Sequence, residues 1–254
     1  MIRLAVDIGN TNATFAVCDE LDVQETFTAS TQDILAGKTD SLKSRFLELR
    51  SIAEMGIASV VPHATEPVAT ILRTLFPPAY VRILKNSDIP IINRYHQPQT
   101  VGIDRLLASL SGYRLYAEPQ RRPLISIDLG TATTYDCTTI NGEYLGGLIT
   151  LGVAATAEQL ASRTAALPKI ELKFPEHVLG TTTDECIRSG ILYSALDAMG
   201  GIINRLIAEQ FTTTKPLVIS TGGLSSLFEG RAPFIELRDP FLVLKGIVIT
   251  LMTL

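Results

Sequence analysis

Two short stretches of the sequence share one order of residue types: an aspartate ending an apolar run, a glycine two positions later, then hydroxyl and amide side chains. They are DIGNTN at 7–12 and DLGTATT at 128–134, nearly half a chain length apart. Glycine lets a backbone approach a ligand closely and present N–H groups to it. Neighbouring Thr and Asn side chains add donors for phosphate oxygens, and an aspartate can hold the metal ion that phosphates require. The pair predicts two turns that bind a polyphosphate from two sides.

Alone, each stretch also fits an ordinary tight hairpin, in which Asp, Gly, Asn and Thr are common. Two copies at equivalent positions favour the phosphate-binding interpretation. The sequence has neither the Walker A pattern nor G-x-G-x-x-G, which excludes the usual nucleotide loops. A third turn, Thr221-Gly222-Gly223, follows an apolar strand at 216–220 and offers adjacent glycines against which an adenine ring could lie. A plain strand-to-helix turn is the alternative there.

Asp104, in VGIDRLL, stands where an amphipathic helix is predicted to begin. One interpretation is a helix N-cap, for which Asp is among the best residues. The other is a general base, because a carboxylate near a helix N-terminus is expected to stay ionised and can accept a proton from an attacking hydroxyl. Arg105 is a candidate fork for a substrate carboxylate or phosphate, or an exposed arginine at a helix start.

The strands and helices that must position these residues are predicted to occur in the same order in each half of the chain. Strands are predicted at 2–8, 12–18 and 22–28, a helical stretch at 31–50, and then alternating strands and helices; a polar, proline-bearing segment at 117–123 is the candidate linker. Beyond it, three further strands at 124–128, 132–139 and 143–149 restart the pattern. We predict an α/β chain of two duplicated lobes, 1–117 and 118–254, the second ending in a helix near 240–254.

Composition limits the function classes. A net charge of −4 with no basic block argues against a nucleic-acid surface, and a hydrophobic content of 46% is typical of a well-packed globule. Three isolated cysteines, Cys18, Cys137 and Cys186, predict buried thiols with neither disulfides nor a zinc site. The start of the sequence lacks signal-peptide features, and its apolar runs are short, so we expect a cytoplasmic protein without a membrane partner.

The motifs together resemble those of the superfamily that includes sugar kinases, heat-shock ATPases and actin. More narrowly, the chain resembles the type III pantothenate kinase family along nearly its whole length. The matching stretches are DIGNTN (7–12), SVVP (59–62), YHQPQTVGIDR (95–105), DLGTATTYD (128–136), GGLITLG (146–152), LGTTTDECIRSG (179–190), STGG (220–223) and LVLKG (242–246). The resemblance implies two ribonuclease-H-like lobes with an ATP cleft between them, and a cytoplasmic kinase that phosphorylates pantothenate in coenzyme A synthesis.

The resemblance also implies residue roles. Asp104 would be the general base, Asp7 would lie near Mg²⁺ and the ATP phosphates, and Asp128 would help to bind a monovalent cation, K⁺ or NH₄⁺. Pantothenate would contact Tyr95, Gly102, Ile103, Asp104, Arg105 and Thr183, and ATP would contact Asp7, Ile8, Gly9, Asn10, Thr11, Asn12, Ala13, Thr14, Thr131, Gly222 and Gly223. A homodimer through the second lobe is implied as well.

Some residues depart from the family pattern or have open roles. Leu151 stands where the family usually has proline, which leaves the turn less constrained, and Thr182 stands where the family often has asparagine. Asp136 either joins the site or fixes its turn by hydrogen bonds, and His96 lies inside the substrate segment. Two alternative functions are another small-molecule kinase or polyphosphate phosphatase of the superfamily, and a non-catalytic regulator of transcription that would not need Asp104.

Overall fold

The computed structural model describes residues 1–49, 52–77, 79–164 and 166–254. Within them, the strands are β1 (Ile2–Ile8), β2 (Asn12–Asp19), β3 (Asp22–Ser30), β4 (Glu54–Ser59), β5 (Tyr80–Ile83), β6 (Ile92–Asn93), β7 (Leu124–Leu129), β8 (Ala132–Thr138), β9 (Glu143–Leu151), β10 (Leu217–Thr221) and β11 (Leu237–Arg238). The α-helices are α1 (Thr31–Leu35), α2 (Asp40–Glu48), α3 (Pro62–Leu75), α4 (Ile103–Gly112), α5 (Val153–Arg163), α6 (Thr183–Gln210) and α7 (Leu242–Thr253).

The chain forms two compact units. The first consists of Met1–Ser111 together with Phe241–Leu254, and the second is Gly112–Pro240. The division therefore falls earlier than the predicted boundary after residue 117, and the last helix belongs to the first unit instead of the second. The physical reason is packing at Gly56 in β4, where an added β-carbon would lie 2.6 Å from Ile247 Cγ2 and 3.0 Å from Leu251 Cδ1 of α7.

The first unit is built on a five-stranded sheet in the order β3-β2-β1-β4-β5. β1 pairs antiparallel with β2 and parallel with β4, so it is the central strand. Leu4, Val6 and Ile8 of β1 are fully buried in the core of this unit. Phe15 of β2 and Phe46 of α2 meet edge to face at 5.2 Å between ring centroids, which closes the core on that side.

The second unit repeats this plan with the strand order β11-β10-β7-β8-β9. β7 pairs antiparallel with β8 and parallel with β10, as β1 does with β2 and β4. Three antiparallel strands followed by parallel ones thus occur twice in the same spatial order. The prediction of two duplicated α/β lobes is confirmed by this topology.

Two local predictions differ from the structure. The helical stretch predicted over 31–50 is two helices, α1 and α2, because Gly37 turns the chain with a φ of 73°; residue 50 lies outside the described residues. The candidate linker at 117–123 belongs to the second unit, where the guanidinium of Arg122 donates to the Pro216 carbonyl and to Glu236, each at 2.7 Å. That segment is anchored by Arg122 and does not act as a linker.

One helix among the described residues, α6, is long and apolar enough to cross a membrane by length and composition alone. Core helices of globular proteins meet the same criterion. Within the second unit, Ile187, Leu192, Met199 and Ile203 of this helix are buried in the core beside β7 and β8.

Candidate functional site

The first predicted phosphate turn, in the stretch 7–12, joins β1 to β2. It is closed by the N–H of Gly9, which donates to the carbonyl of Asn12 at 3.0 Å. The side chains of Asn10, Thr11 and Asn12 are exposed, while Asp7 and Thr14 are half-buried and opposite each other in the ladder. Ile8 and Ala13 are fully buried, so of these two predicted ATP contacts only the backbone can face a ligand.

Thr31, at the start of α1, holds both ends of this turn. Its hydroxyl donates to the Gly9 carbonyl at 2.7 Å, and its N–H donates to the Thr11 carbonyl at 3.0 Å. The side chain is 1% exposed. Sequence reasoning missed Thr31, since a threonine at a helix start is common for local reasons. The signal available in the sequence was its position directly after the third strand of the repeat.

The second phosphate turn joins β7 to β8 and is one residue shorter than the first. Leu129 pairs with Thr133, whereas Ile8 pairs with Ala13, so the alignment of Asp7 with Asp128 holds for the leading strand and shifts on the returning one. The turn is closed by the Gly130 N–H, which donates to the Ala132 carbonyl at 3.0 Å. Thr131 is exposed and Asp128 is half-buried.

Gly152, just before α5, ties this second turn from the side. Its N–H donates to the Thr131 carbonyl at 3.0 Å, and a β-carbon there would lie 2.5 Å from the same oxygen. The preceding Leu151 is paired with Ala132 as the last residue of β9. Strand pairing therefore holds Leu151 in place without the proline that the family usually has, although its side chain is exposed.

The Thr221-Gly222-Gly223 turn packs directly against Asp128. Thr221 is the parallel partner of Asp128, and Leu224 donates its N–H to the Leu129 carbonyl at 3.0 Å. Gly222 has a φ of 86°, and a β-carbon at this position would overlap the Asp128 carboxylate. Gly223 has nothing within 4 Å of such a carbon. The second unit therefore brings the second predicted phosphate turn and this glycine turn into contact.

A hydrogen-bonded chain supports the glycine turn from behind. The buried hydroxyl of Ser225 donates to the Gly222 carbonyl at 2.7 Å and accepts from Nε of Arg238 at 2.9 Å. Arg238 is itself paired through β11 with Ser220 of β10. These supporting residues lie next to a cavity of about 140 Å³, and sequence reasoning did not find them.

Asp104 is in the first turn of α4, one residue inside the helix. The carbonyl of Gly102 accepts from the N–H groups of Arg105 and Leu106 at 3.1 and 3.4 Å, so Gly102 occupies the cap position and the N-cap interpretation of Asp104 is wrong. Asp104 Oδ1 accepts from the Arg105 N–H at 2.9 Å. A β-carbon on Gly102 would lie 2.5 Å from that oxygen, so the glycine makes room for the carboxylate.

Burial raises the pKa of Asp104 above its ordinary value, against the lowering effect of the Arg105 N–H bond and the Arg105 charge. From the sequence we expected the helix N-terminus to keep Asp104 ionised. In the structure, burial has the largest effect on the pKa of Asp104, and it acts in the opposite direction. A base with a raised pKa binds a transferred proton more strongly than an ordinary aspartate does. Ile103 and Arg105 are buried on either side, at 5% and 8% exposure, so Arg105 is not the exposed arginine that was the alternative.

α4 is held in place by α7. A β-carbon on Gly246 of α7 would lie 2.9 Å from the Leu107 Cα, so the two helices cross at close range through this glycine. One turn further on, the buried hydroxyl of Ser111 donates to the Leu242 carbonyl at 2.6 Å. The LVLKG motif at 242–246 thereby acquires a structural role that the sequence alone did not supply: it supports the helix that carries Asp104.

The segment before α4 contains Tyr95, which is 37% exposed. Its N–H donates to Oδ1 of Asn93 at 3.0 Å, and the Asn93 amide donates to the Pro98 carbonyl at 3.2 Å. Asn86 donates to the Val101 carbonyl at 2.7 Å. Two asparagines that sequence reasoning missed therefore order the loop between Tyr95 and Gly102.

Thr183 is the exposed first residue of α6 and lines an open groove of about 590 Å³ with Gly180, Thr181 and Ile187. Thr182 caps the helix: its hydroxyl accepts from the Glu185 N–H at 3.3 Å, and Glu185 accepts from Thr182 in return. Thr182, where the family often has asparagine, therefore forms a capping box with Glu185.

The remaining candidates have structural or surface positions. Asp136 is buried and accepts from the Tyr144 hydroxyl at 2.8 Å and from Thr134 at 3.1 Å, which supports its role in fixing the strands. His96 is exposed. Cys18 and Cys137 are buried free thiols, but Cys186 is exposed, contrary to expectation.

The chemistry of these donor sets fits a nucleotide with its metal. Among the described residues, no group of three or more His, Cys, Asp or Glu side chains is placed to hold a metal ion by itself. Mg²⁺ in phosphate sites is held by one or two carboxylates together with phosphate and water oxygens. Asp7 and Asp128, each a single carboxylate at a turn with exposed donors, suit an ion that binds with phosphates.

Comparisons with known proteins agree with this geometry. The family described as type III pantothenate kinase matches residues 3–205. A protein named type III pantothenate kinase 1 from Symbiobacterium thermophilum is 35% identical over 257 residues, covering 96% of this chain and 94% of its own. Among solved structures, a protein described as a Baf family transcriptional activator from Campylobacter jejuni has a TM-score of 0.60, 19% identity and 98% coverage of both chains.

A second solved structure is a ROK family glucokinase from Streptomyces griseus in complex with glucose and AMPPNP. It has a TM-score of 0.51 and 16% identity, again with 98% coverage of both chains. Both structures are distant in sequence, so they establish the fold alone. That fold is the one shared by sugar kinases, as predicted.

Proposed function

The chain belongs to the type III pantothenate kinase family, and on that premise we propose that it transfers the γ-phosphoryl group of ATP to the hydroxyl of pantothenate. The product is 4'-phosphopantothenate, and the reaction is the first step of coenzyme A synthesis. The observation that carries the proposal is the carboxylate of Asp104, seated over Gly102 at the start of α4 with a raised pKa.

Asp104 acts as the general base. The pantothenate hydroxyl oxygen forms a bond to the γ-phosphorus, the bond from that phosphorus to the β–γ bridging oxygen breaks, and ADP leaves. The hydroxyl proton passes to the Asp104 carboxylate. Phosphoryl transfer depends mainly on positioning and charge neutralisation, so one carboxylate suffices as base. Arg105 lies beside it as a cation for the pantothenate carboxylate.

The candidate ATP contacts are the turn at 7–14 and, separately, Thr131, Gly222 and Gly223, with the adenosine against the open side of Gly223. Asp7 would hold Mg²⁺, and Asp128 would hold a monovalent cation, K⁺ or NH₄⁺. Such ions neutralise the charge that develops on the phosphate oxygens.

The candidate pantothenate contacts are Tyr95 and the segment 102–105. Thr183, at the α6 groove, is a further candidate that the family resemblance implies. Because Ile103 is buried, this residue contributes backbone groups only. The exposed Tyr95 ring supplies an apolar face with a hydroxyl at its tip, which suits a small molecule that has both methyl groups and a hydroxyl.

The proposal includes a cytoplasmic homodimer that associates through the second unit. Along β9, Ile149 is 64% and Leu151 54% exposed. Leu151 also lines a groove of about 360 Å³ together with Gly190, Ala195 and Ala198 of α6. Exposed apolar side chains in one patch are typical of an interface. Sedimentation should give a dimer mass for the wild type and a monomer mass for Ile149→Asp, and a wild-type monomer would refute this part.

The test of function is ADP release from the purified protein with ATP and Mg²⁺, with and without pantothenate, in potassium and in sodium buffer. Turnover that needs pantothenate and potassium and is lost in Asp104→Asn would support the kinase, the base and the cation together. Turnover without pantothenate would indicate another kinase or a phosphatase. A folded protein that is inactive in every buffer would favour the non-catalytic regulator.

A further inference from the structure

Thr31 contacts the first phosphate turn through two different groups. The hydroxyl donates to the carbonyl of Gly9 at 2.7 Å, and the backbone N–H donates to the carbonyl of Thr11 at 3.0 Å. These two carbonyls lie on either side of Asn10, whose side chain is exposed. Thr31 therefore fixes the turn at two points that bracket a residue facing solvent.

Comparison with the second unit shows which of the two Thr31 contacts occurs in both turns and which occurs in the first turn alone. There the N–H of Gly152 donates to the Thr131 carbonyl at 3.0 Å, in the same relation that Thr31 has to Thr11. Gly152 has no side chain, and its backbone approaches the turn too closely to admit one. The backbone contact is thus common to both turns, whereas the hydroxyl contact belongs to the first turn alone among these two.

We propose that Thr31 is a positioning residue for nucleotide phosphate, acting through its hydroxyl on the Gly9 carbonyl. The inference rests on the proposed function, in that the turn at 7–14 binds ATP. The hydroxyl fixes the direction of the Gly9–Asn10 peptide, so the turn is ordered before the nucleotide arrives. Pre-organisation of this kind raises affinity because less order has to be created on binding.

Thr31→Val removes the hydroxyl and keeps the shape, and Thr31→Ser keeps the hydroxyl. Thr250→Val is the matched control: Thr250 is fully buried in the same unit, and its hydroxyl donates to the Gly246 carbonyl at 2.8 Å, within α7. Each valine variant loses one buried hydrogen bond to a carbonyl, so both should be destabilised to a similar extent.

The measurements are the KM for ATP and for pantothenate, kcat, the thermal midpoint, and the shift of amide resonances on titration with ATP and Mg²⁺. We expect Thr31→Val to raise the KM for ATP about three- to tenfold, the change that one lost hydrogen bond produces. The KM for pantothenate should stay within about twofold. Thr31→Ser should behave as the wild type, and Thr250→Val should lower the midpoint without changing the KM for ATP.

The outcomes separate this inference from the proposed function. An unchanged KM for ATP in Thr31→Val, in an otherwise active enzyme, would overturn the positioning role alone. Weaker ATP titration in Thr31→Val, from a protein without pantothenate-dependent turnover, would support the positioning role and refute pantothenate as acceptor. A wild-type protein that shows no resonance shifts with ATP would overturn both.

Discussion

The Asp104 carboxylate lies over the α-carbon of Gly102, so close that a β-carbon at Gly102 would stand 2.5 Å from Oδ1. The glycine serves two purposes at once: its carbonyl accepts the first N–H groups of α4, and its missing side chain leaves space for the carboxylate. The position of the proposed general base is therefore specified by Gly102, a residue with no side chain to take part in the proton transfer.

Gly102→Ala should lower kcat by about a hundredfold, because a methyl group displaces the carboxylate and a shift of about 1 Å has that cost. The fold should survive, since the crowded atom is the end of a side chain. Gly201→Ala, where an added β-carbon meets nothing within 4 Å, should leave kcat unchanged. Steady-state kinetics and circular dichroism of both variants test this, and normal kcat in Gly102→Ala would contradict it.

The raised pKa of Asp104 has opposite consequences for activity and stability. The folded protein binds this proton more strongly than the unfolded chain does, so the stability it contributes is present below about pH 3.9 and is lost as pH rises through the folded pKa. We expect Asp104→Asn to lower kcat/KM by about 10² to 10⁴ and to raise the thermal midpoint at neutral pH. A midpoint lower than that of the wild type would argue against a buried, ionised Asp104.

The Arg105 charge lowers the pKa of Asp104, although burial outweighs it. Arg105→Gln should therefore move the acidic limb of the pH profile of kcat/KM to higher pH, because activity needs the ionised base. The KM for pantothenate should rise about ten- to a hundredfold if the guanidinium binds the substrate carboxylate. Arg105→Lys keeps the positive charge, so the acidic limb of its pH profile should stay at the wild-type pH. Identical limbs in all three proteins would show that this charge does not act on the base.

Two adjacent glycines should respond differently to alanine. Gly222→Ala requires a φ of 86° from a residue with a side chain and pushes a methyl group into Asp128, so it should destabilise the protein by about 1 to 3 kcal/mol. Gly223→Ala faces open space and should leave the thermal midpoint unchanged while raising the KM for ATP, because the methyl group occupies the side on which adenosine is expected. Equal midpoints for the two variants would contradict the structure of this turn.

The sequence predicted the duplicated lobes because aspartate, glycine and hydroxyl residues recur at the ends of two similar strands, and the strand orders confirm this. Asp104 could be named as a candidate general base from the sequence, because it follows Gly102 at the start of a predicted amphipathic helix. The raised pKa of Asp104 and the burial of Arg105 could not be predicted from the sequence, since burial depends on residues distant in the chain. Thr31 was missed for a related reason: its partner Gly9 lies two strands earlier, and the one signal in the sequence is the position of Thr31 directly after the third strand of the repeat.

α7 covers β1 and β4 but follows the whole second unit in the sequence. During synthesis, the first five strands leave the ribosome long before the helix that completes their packing, and the whole second unit is produced in the interval. The second unit, being continuous in sequence, has all its residues available first. We therefore expect the usual order of folding along a chain, in which the N-terminal domain matures ahead of the next, to be reversed here, because the first unit lacks part of its core until Phe241–Leu254 have been made.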